Sequence, residues 1–97
     1  MARYIALINF TEQGIKTLKD WDKRMAATKE RLERSGGKLI DVYLTLGEFD
    51  AVAITEAPND EVALRAAIEY GMAGNGRSRT MRAFTSEETV RIVKQLG

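Results

Sequence analysis

The chain has 97 residues, of which 30 % are charged, and a formal net charge of +1. That length makes one domain, here residues 1–97, able to bury about 60–65 % of its unfolded surface, and a balance so near zero argues against a general polyanion binder. Cysteine and histidine are both absent, which excludes disulfide frameworks, thiol nucleophiles, Ser-His-Asp triads and histidine metal sites, so no cofactor or metal is expected. The N-terminus enters a strand-like run with no signal-peptide h-region. No apolar run approaches the roughly 20 residues needed to span a bilayer. A cytoplasmic protein with no membrane partner is the expectation.

Tyr4 to Phe10 is the first predicted strand, with Tyr4, Ala6, Ile8 and Phe10 on one face and Ile5 and Leu7 on the other. Two apolar faces mark a central strand covered twice. Thr11 is the expected N-cap of a helix running to about Arg34, with Glu12 in its first turn. Ile15, Leu18, Trp21, Met25, Thr28 and Leu32 recur at three- and four-residue steps and form its apolar stripe, so Trp21 reads as core. Lys16, Lys19, Lys23 and Lys29 read as a solvated face, and Asp20–Arg24 and Glu30–Arg34 are spaced as i,i+4 pairs.

Ser35-Gly36-Gly37 stops this helix. Lys38 to Thr45 is the second strand. Ile40, Val42 and Leu44 make one apolar face, and Leu39, Asp41, Tyr43 and Thr45 a mixed one, as on an edge. Leu46-Gly47-Glu48-Phe49 turns the chain into a third strand. Its run from Ala51 to Thr55 is apolar or small at nearly every position, hence central. Ala57-Pro58-Asn59-Asp60 ends it and caps a second helix from about Asp60 to Met72, with Asn59 or Asp60 as N-cap. Val62, Ala63, Ala66, Ala67 and Tyr70 give that helix a stripe of small residues, which would let it lie close on a sheet. Gly71, Gly74 and Gly76 break it. Arg77 to Thr85 is a polar-heavy fourth strand, suited to the other edge, and Ser86 is the expected cap of a short C-terminal helix.

The order β-α-β-β-α-β is the ferredoxin-like arrangement of the α+β class. It has a four-stranded antiparallel sheet in strand order 4-1-3-2, two helices on one face and here a short C-terminal helix. The two doubly apolar strands fall in the centre and the two polar ones at the edges, so independent features agree. Too little chain remains to cover the second face. An exposed apolar sheet face is an association surface, and a homodimer or larger homo-oligomer is expected.

In this topology the end of strand one, the turn between strands two and three and the start of strand four meet at one end of the sheet. That brings together Asn9, Thr11, Glu48, Asp50, Asn75, Arg77 and Arg79, with Tyr43 and Thr45 on strand two. A cleft there is the default ligand site. Its ligand-binding candidates are Asn9, Tyr43, Thr45, Asp50, Arg77 and Arg79, and its catalytic candidates are Asp50 and Glu48 as general base. The plainer alternative is that Gly47 makes a turn, Asp50 caps it and the arginines pair with acids. Small-molecule binding, with catalysis as a narrower case, stands beside a structural or assembly module without a ligand. Nucleic-acid binding through Arg77, Arg79 and Arg82 is the least favoured reading, given the net charge.

The segment from Leu46 to Glu61, Leu-Gly-Glu-Phe-Asp-Ala-Val-Ala-Ile-Thr-Glu-Ala-Pro-Asn-Asp-Glu, resembles the GYD domain family. So do Phe10-Thr11-Glu12-Gln13-Gly14-Ile15-Lys16, Gly74-Asn75 and Arg82-Ala83-Phe84. The family is named for Gly-Tyr-Asp in the central turn. The related positions here read Gly47-Glu48-Phe49-Asp50, so aromatic packing survives without the tyrosine hydroxyl. The resemblance implies a dimeric α/β-barrel of ferredoxin-like subunits and supplies a fold without an established activity. Cofactor-free monooxygenases and ligand-sensing domains share that barrel by fold-level analogy only.

Overall fold

The computed structural model describes every residue, Met1–Gly97. Its strands are β1 (Ala2–Phe10), β2 (Lys38–Leu44), β3 (Ala51–Ala57) and β4 (Gly76–Ala83), and its helices α1 (Glu12–Lys16), α2 (Trp21–Arg34), α3 (Asp60–Ala73) and α4 (Ser86–Val93). The sheet order is β2-β3-β1-β4, and all three pairings are antiparallel. The ferredoxin-like α+β arrangement is therefore the fold, with the two apolar strands in the centre.

Register decides which face does what. Across the sheet, Val42, Ala53, Ala6 and Thr80 form one row and Leu44, Ala51, Ile8 and Ser78 another. These rows lie under α2 and α3, where Tyr4, Ile8, Ala51 and Ala57 are buried. The intervening rows are Asp41, Ile54, Ile5 and Met81, and Tyr43, Val52, Leu7 and Arg79. By alternation they occupy the outer face, which no helix covers.

Four local features depart from the pattern read in the sequence. The first helix is not continuous: α1 ends at Lys16 with Thr17 as its C-cap, a 3-10 turn spans Leu18–Asp20, and α2 begins at Trp21. The break re-aims the chain so that Trp21 and Met25 face the sheet after α1 has been fixed against the loop before β4. The i,i+4 pairs of this region differ as well. Glu12–Lys16 forms at 3.0 Å, whereas Arg24 turns inward to the Gly14 carbonyl, and neither Asp20–Arg24 nor Glu30–Arg34 is made. In β2, a bulge between Leu39 and Asp41 shifts the register. It places Leu39, Val42 and Leu44 together on the helix side and sends Asp41 and Tyr43 outward.

The fourth departure is the cap of α4. Thr85, not Ser86, is its N-cap: the Thr85 hydroxyl accepts from the Glu88 N–H at 3.1 Å, and the Glu88 carboxylate accepts from the Thr85 N–H at 2.9 Å. Thr85→Ala is expected to lower stability by about 1 kcal/mol, measured as a fall in Tm. The backbone N–H of Thr85 also holds the Glu88 carboxyl below its ordinary value of 4.5. That contribution is present above pH 4.5 and is lost as the pH falls through the lowered value. The Glu88→Gln chain, which has no carboxyl to titrate there, should lose less stability on acidification than the parent.

Candidate functional site

Three regions of the molecule can meet a partner, and each follows from a local property of the chain. The first is the end of the sheet where β1 stops. Asp50 continues the β3 ladder there, its N–H donating to the Ile8 carbonyl at 2.8 Å. Its Oδ2 accepts from the Phe10 N–H, also at 2.8 Å. One oxygen of this carboxylate is thus occupied in closing the strand. Thr11 joins the same end to the loop before β4: its N–H donates to the Asn75 carbonyl at 3.1 Å, and its hydroxyl donates to the Gly74 carbonyl. Gln13 Nε2 adds a bond to Asn75 Oδ1 at 2.9 Å. Gly74 makes the turn possible with a φ of +85°, a left-handed conformation that a residue with a Cβ rarely adopts.

The expected site residues do not all converge. Asn9 pairs with Arg77, and Leu7 with Arg79, so Asn9, Arg77 and Arg79 stand on or beside the outer face. Tyr43 stands there too, 54 % exposed, with its hydroxyl donating to Asp41 Oδ2 at 2.5 Å. That bond holds the Tyr43 phenol above its usual value of 10.0. The Thr45 hydroxyl donates to the Phe49 carbonyl within the turn, and Glu48 is exposed. Phe49 is half-buried. Arg77 also lines a shallow groove between α3 and β4, with Ile68, Gly71 and Met72.

The second region is a cavity of about 90 Å³ between the sheet and the two long helices, with mostly apolar walls. Its origin is visible in the residue types. Ala6, Ala53 and Ala57 point up from the sheet, and Ala63, Ala66 and Ala67 point down from α3. Alanine on both sides does not fill the interval between helix and sheet. The small residues therefore leave space instead of drawing the helix down onto the sheet. α2 and α3 also do not pack closely on each other. They are linked across the gap by Arg31 Nε and Glu69 Oε2 at 3.1 Å, a charged contact whose angle leaves Nε without a true hydrogen bond.

None of Asn9, Tyr43, Thr45, Asp50, Arg77 or Arg79 lines this cavity. Its wall includes Trp21 and Tyr70, with Arg24 beside both. The Arg24 guanidinium lies 5.3 Å from the centre of the Trp21 ring and 5.6 Å from that of Phe10, and those two rings meet edge to face at 5.9 Å. Burial pushes the Tyr70 phenol above its usual 10.0; Arg24 opposes the shift and the Asp50 carboxylate adds to it. Sequence reasoning took Tyr70 as one more stripe residue and Arg24 as half of a surface pair. The available signal was that Arg24 falls one turn from Trp21 on the side of the apolar stripe.

The third region is the outer sheet face. Ile5, Leu7, Val52 and Ile54 sit in its middle, flanked by Met81 and Tyr43, with Arg3–Glu56 paired at 3.1 Å along one border and Arg77 and Arg79 along another. An apolar centre with a charged border is the layout of an association surface. No helix of the molecule is long and apolar enough to cross a membrane.

A split βαβ sheet with both long helices on one face and an open apolar face on the other defines a small α+β domain of the ferredoxin-like class. Within that class the chain belongs to the GYD domain family, whose family model matches residues 4–93. A curated relative from Thermus thermophilus, named "Glutamine synthetase and cystathionine beta-lyase binding protein", is 26 % identical over 95 residues, a match covering 97 % of this chain and 100 % of the relative. No solved structure matches the chain.

Proposed function

We propose that the chain is a self-associating protein-binding module, in which two copies meet through their outer sheet faces and the dimer engages protein partners. The observation that carries this reading is the uncovered apolar centre of Ile5, Leu7, Val52 and Ile54. Area supports it. A folded monomer of this mass exposes about 5,500 Å², whereas the chain exposes 6711 Å². The difference of about 1,200 Å² is on the scale of the roughly 800 Å² per partner that a standard interface buries. Helix α4 contributes to the excess, with Val90 and Val93 each about half exposed and Leu96, just beyond its end, 72 % exposed. Face-to-face packing of two such sheets gives the barrel dimer that the family resemblance implies.

Protein partners are proposed by analogy with the relative, whose printed name is that of a protein binding two enzymes. The test mixes the purified chain with purified glutamine synthetase, and separately with cystathionine beta-lyase, and follows each mixture by sedimentation velocity. The chain alone should sediment at twice its 10.8 kDa mass, and should comigrate with at least one enzyme. A monomer at tens of micromolar overturns self-association. Failure to comigrate with either enzyme overturns the partner assignment.

A second reading, small-molecule binding, is favoured by the helix–sheet cavity, which offers an apolar interior with a few polar groups on its wall. The end of the sheet at Asp50 remains the alternative place for such a ligand.

A further inference from the structure

Two apolar surfaces outside the sheet have no partner within the chain. The first is one side of α4. Val90, Ile92 and Val93 fall on one half of its circumference, and Glu87, Glu88 and Arg91 on the other. The chain holds α4 by its polar half: Glu88 accepts from the Thr85 N–H at 2.9 Å and stands 4.0 Å from Arg82. The apolar residues are each about half exposed, and the helix packs closely on no other element. A helix of 8 residues is marginal in water without such packing. The second surface is on α3, where Leu64, Ile68 and Met72 recur at four-residue steps and are 61, 51 and 81 % exposed. Ile68 and Met72 also form one wall of the groove between α3 and β4, with Arg77 on the other.

We infer that α4 is an arm that seats its apolar half in the α3–β4 groove of a second copy, antiparallel to α3. This rests on the self-association reading above and adds to the sheet contact a second contact through the helices. A chain cannot fill its own groove. The groove opens at Arg77 and Ser78, at the start of β4, whereas α4 begins beyond its end, and the 8 residues of the strand hold the two about 25 Å apart. A two-fold axis that sets two β4 strands antiparallel brings the end of each beside the start of the other. Each arm then meets the other copy's groove, and the contact is made twice. Spacing fits. Thr89, Ile92, Val93 and Leu96 stand at the i, i+3, i+4 and i+7 positions by which a helix fills an apolar groove, and the Thr89 hydroxyl already donates to the Thr85 carbonyl. Charge fixes the direction. Glu87 lies in the first turn of α4 and Lys94 at its end, while Glu61 lies in the first turn of α3 and Arg77 beside the C-terminal end of that helix. Antiparallel docking sets Glu87 by Arg77 and Lys94 by Glu61, whereas parallel docking sets like charges together. None of the four is paired within its own chain.

The experiment is sedimentation equilibrium on the full chain and on variants at exposed positions, each checked for the circular dichroism spectrum of the parent. Val93→Asp and Met72→Asp should each raise the dissociation constant about tenfold or more. Glu87→Arg and Arg77→Glu should each raise it about tenfold when alone. Mixed one to one, those two charge variants should associate about as tightly as the parent, since every arm then meets an opposite charge in the other copy. Val93→Asp and Met72→Asp chains with the parent's dissociation constant, or a charge-reversed mixture no tighter than its components, overturn the arm contact; the outer-face reading stands if Leu7→Asp still dissociates the dimer. Loss of comigration with glutamine synthetase or cystathionine beta-lyase, in α4 variants that self-associate like the parent, assigns α4 to an enzyme and overturns the inference too. A parent chain that is monomeric at tens of micromolar overturns both readings.

Discussion

Gly14→Ala should be among the most destabilising single-methyl changes this chain can suffer, although alanine is the better helix former. Gly14 lies in α1, and a Cβ built there would stand 1.8 Å from the Asn75 carbonyl oxygen and 2.8 Å from its carbon. Both are backbone atoms, held by the bonds that Thr11 and Gln13 make to the same loop, so the neighbour cannot swing aside as a flexible side chain would. Overpacking of this kind costs about 2–3 kcal/mol or more, a fall in Tm of about 10–20 °C for a chain of this size. Gly71→Ala is the matched control. Gly71 is also helical, and nothing lies within 4 Å of a Cβ placed on it, so the same substitution should raise stability by about 0.5–1 kcal/mol. Thermal melts of the two variants should therefore move in opposite directions. A Gly14→Ala chain as stable as the parent would show that the contact between α1 and the Asn75 loop is not rigid.

Adjacent residues on β1 should give opposite phenotypes when each is replaced by aspartate. Ile8 is 8 % exposed and faces the helices. A carboxylate there has no partner, and its burial is comparable to the total stability of about 5–10 kcal/mol that a chain of this length commands, so Ile8→Asp should not fold. Leu7 pairs with Val52 and Arg79 in the middle of the outer face. Leu7→Asp should keep the circular dichroism spectrum of the parent but weaken the proposed dimer about a hundredfold or more, since a symmetric interface buries the new charge twice. Sedimentation equilibrium at micromolar concentration is the measurement. A Leu7→Asp chain that remains dimeric would remove the outer face from the interface.

Much of the architecture could be read from the residues because the signals involved are local. Period-two alternation separated central from edge strands: β1 and β3 carry apolar residues on both sides, and β2 and β4 do not. The cap of α3 was legible as Asn59 or Asp60 because a side-chain acceptor next to a free N–H needs no tertiary information; Asn59 is the one used, accepting from the Val62 N–H at 3.0 Å. The glycine punctuation at Gly36 and Gly74 marked the ends of α2 and α3 for the same reason, through a left-handed backbone. Thr85 was missed next to Ser86 because two hydroxyl residues in succession offer the same chemistry, and only the position of Glu88 selects between them.

What the sequence by itself determined is the four strands, their place in the sheet and the helical stretches between them, since these depend on side-chain periodicity and on caps within one turn. Which face of β1 lies under the helices was open, because Ile5 and Leu7 are as apolar as Ile8. Only packing against α2 and α3 decided it. The bulge at Ile40, the break after Lys16 and the inward turn of Arg24 were decided the same way, by contacts between residues distant in the chain. The cavity belongs to this second group. Alanine on a helix reads as close packing, and alanine on a strand reads the same, but where the two face each other across a spacing set by the backbone they leave a hollow. That hollow is a property of the pair, and neither stretch carries it alone.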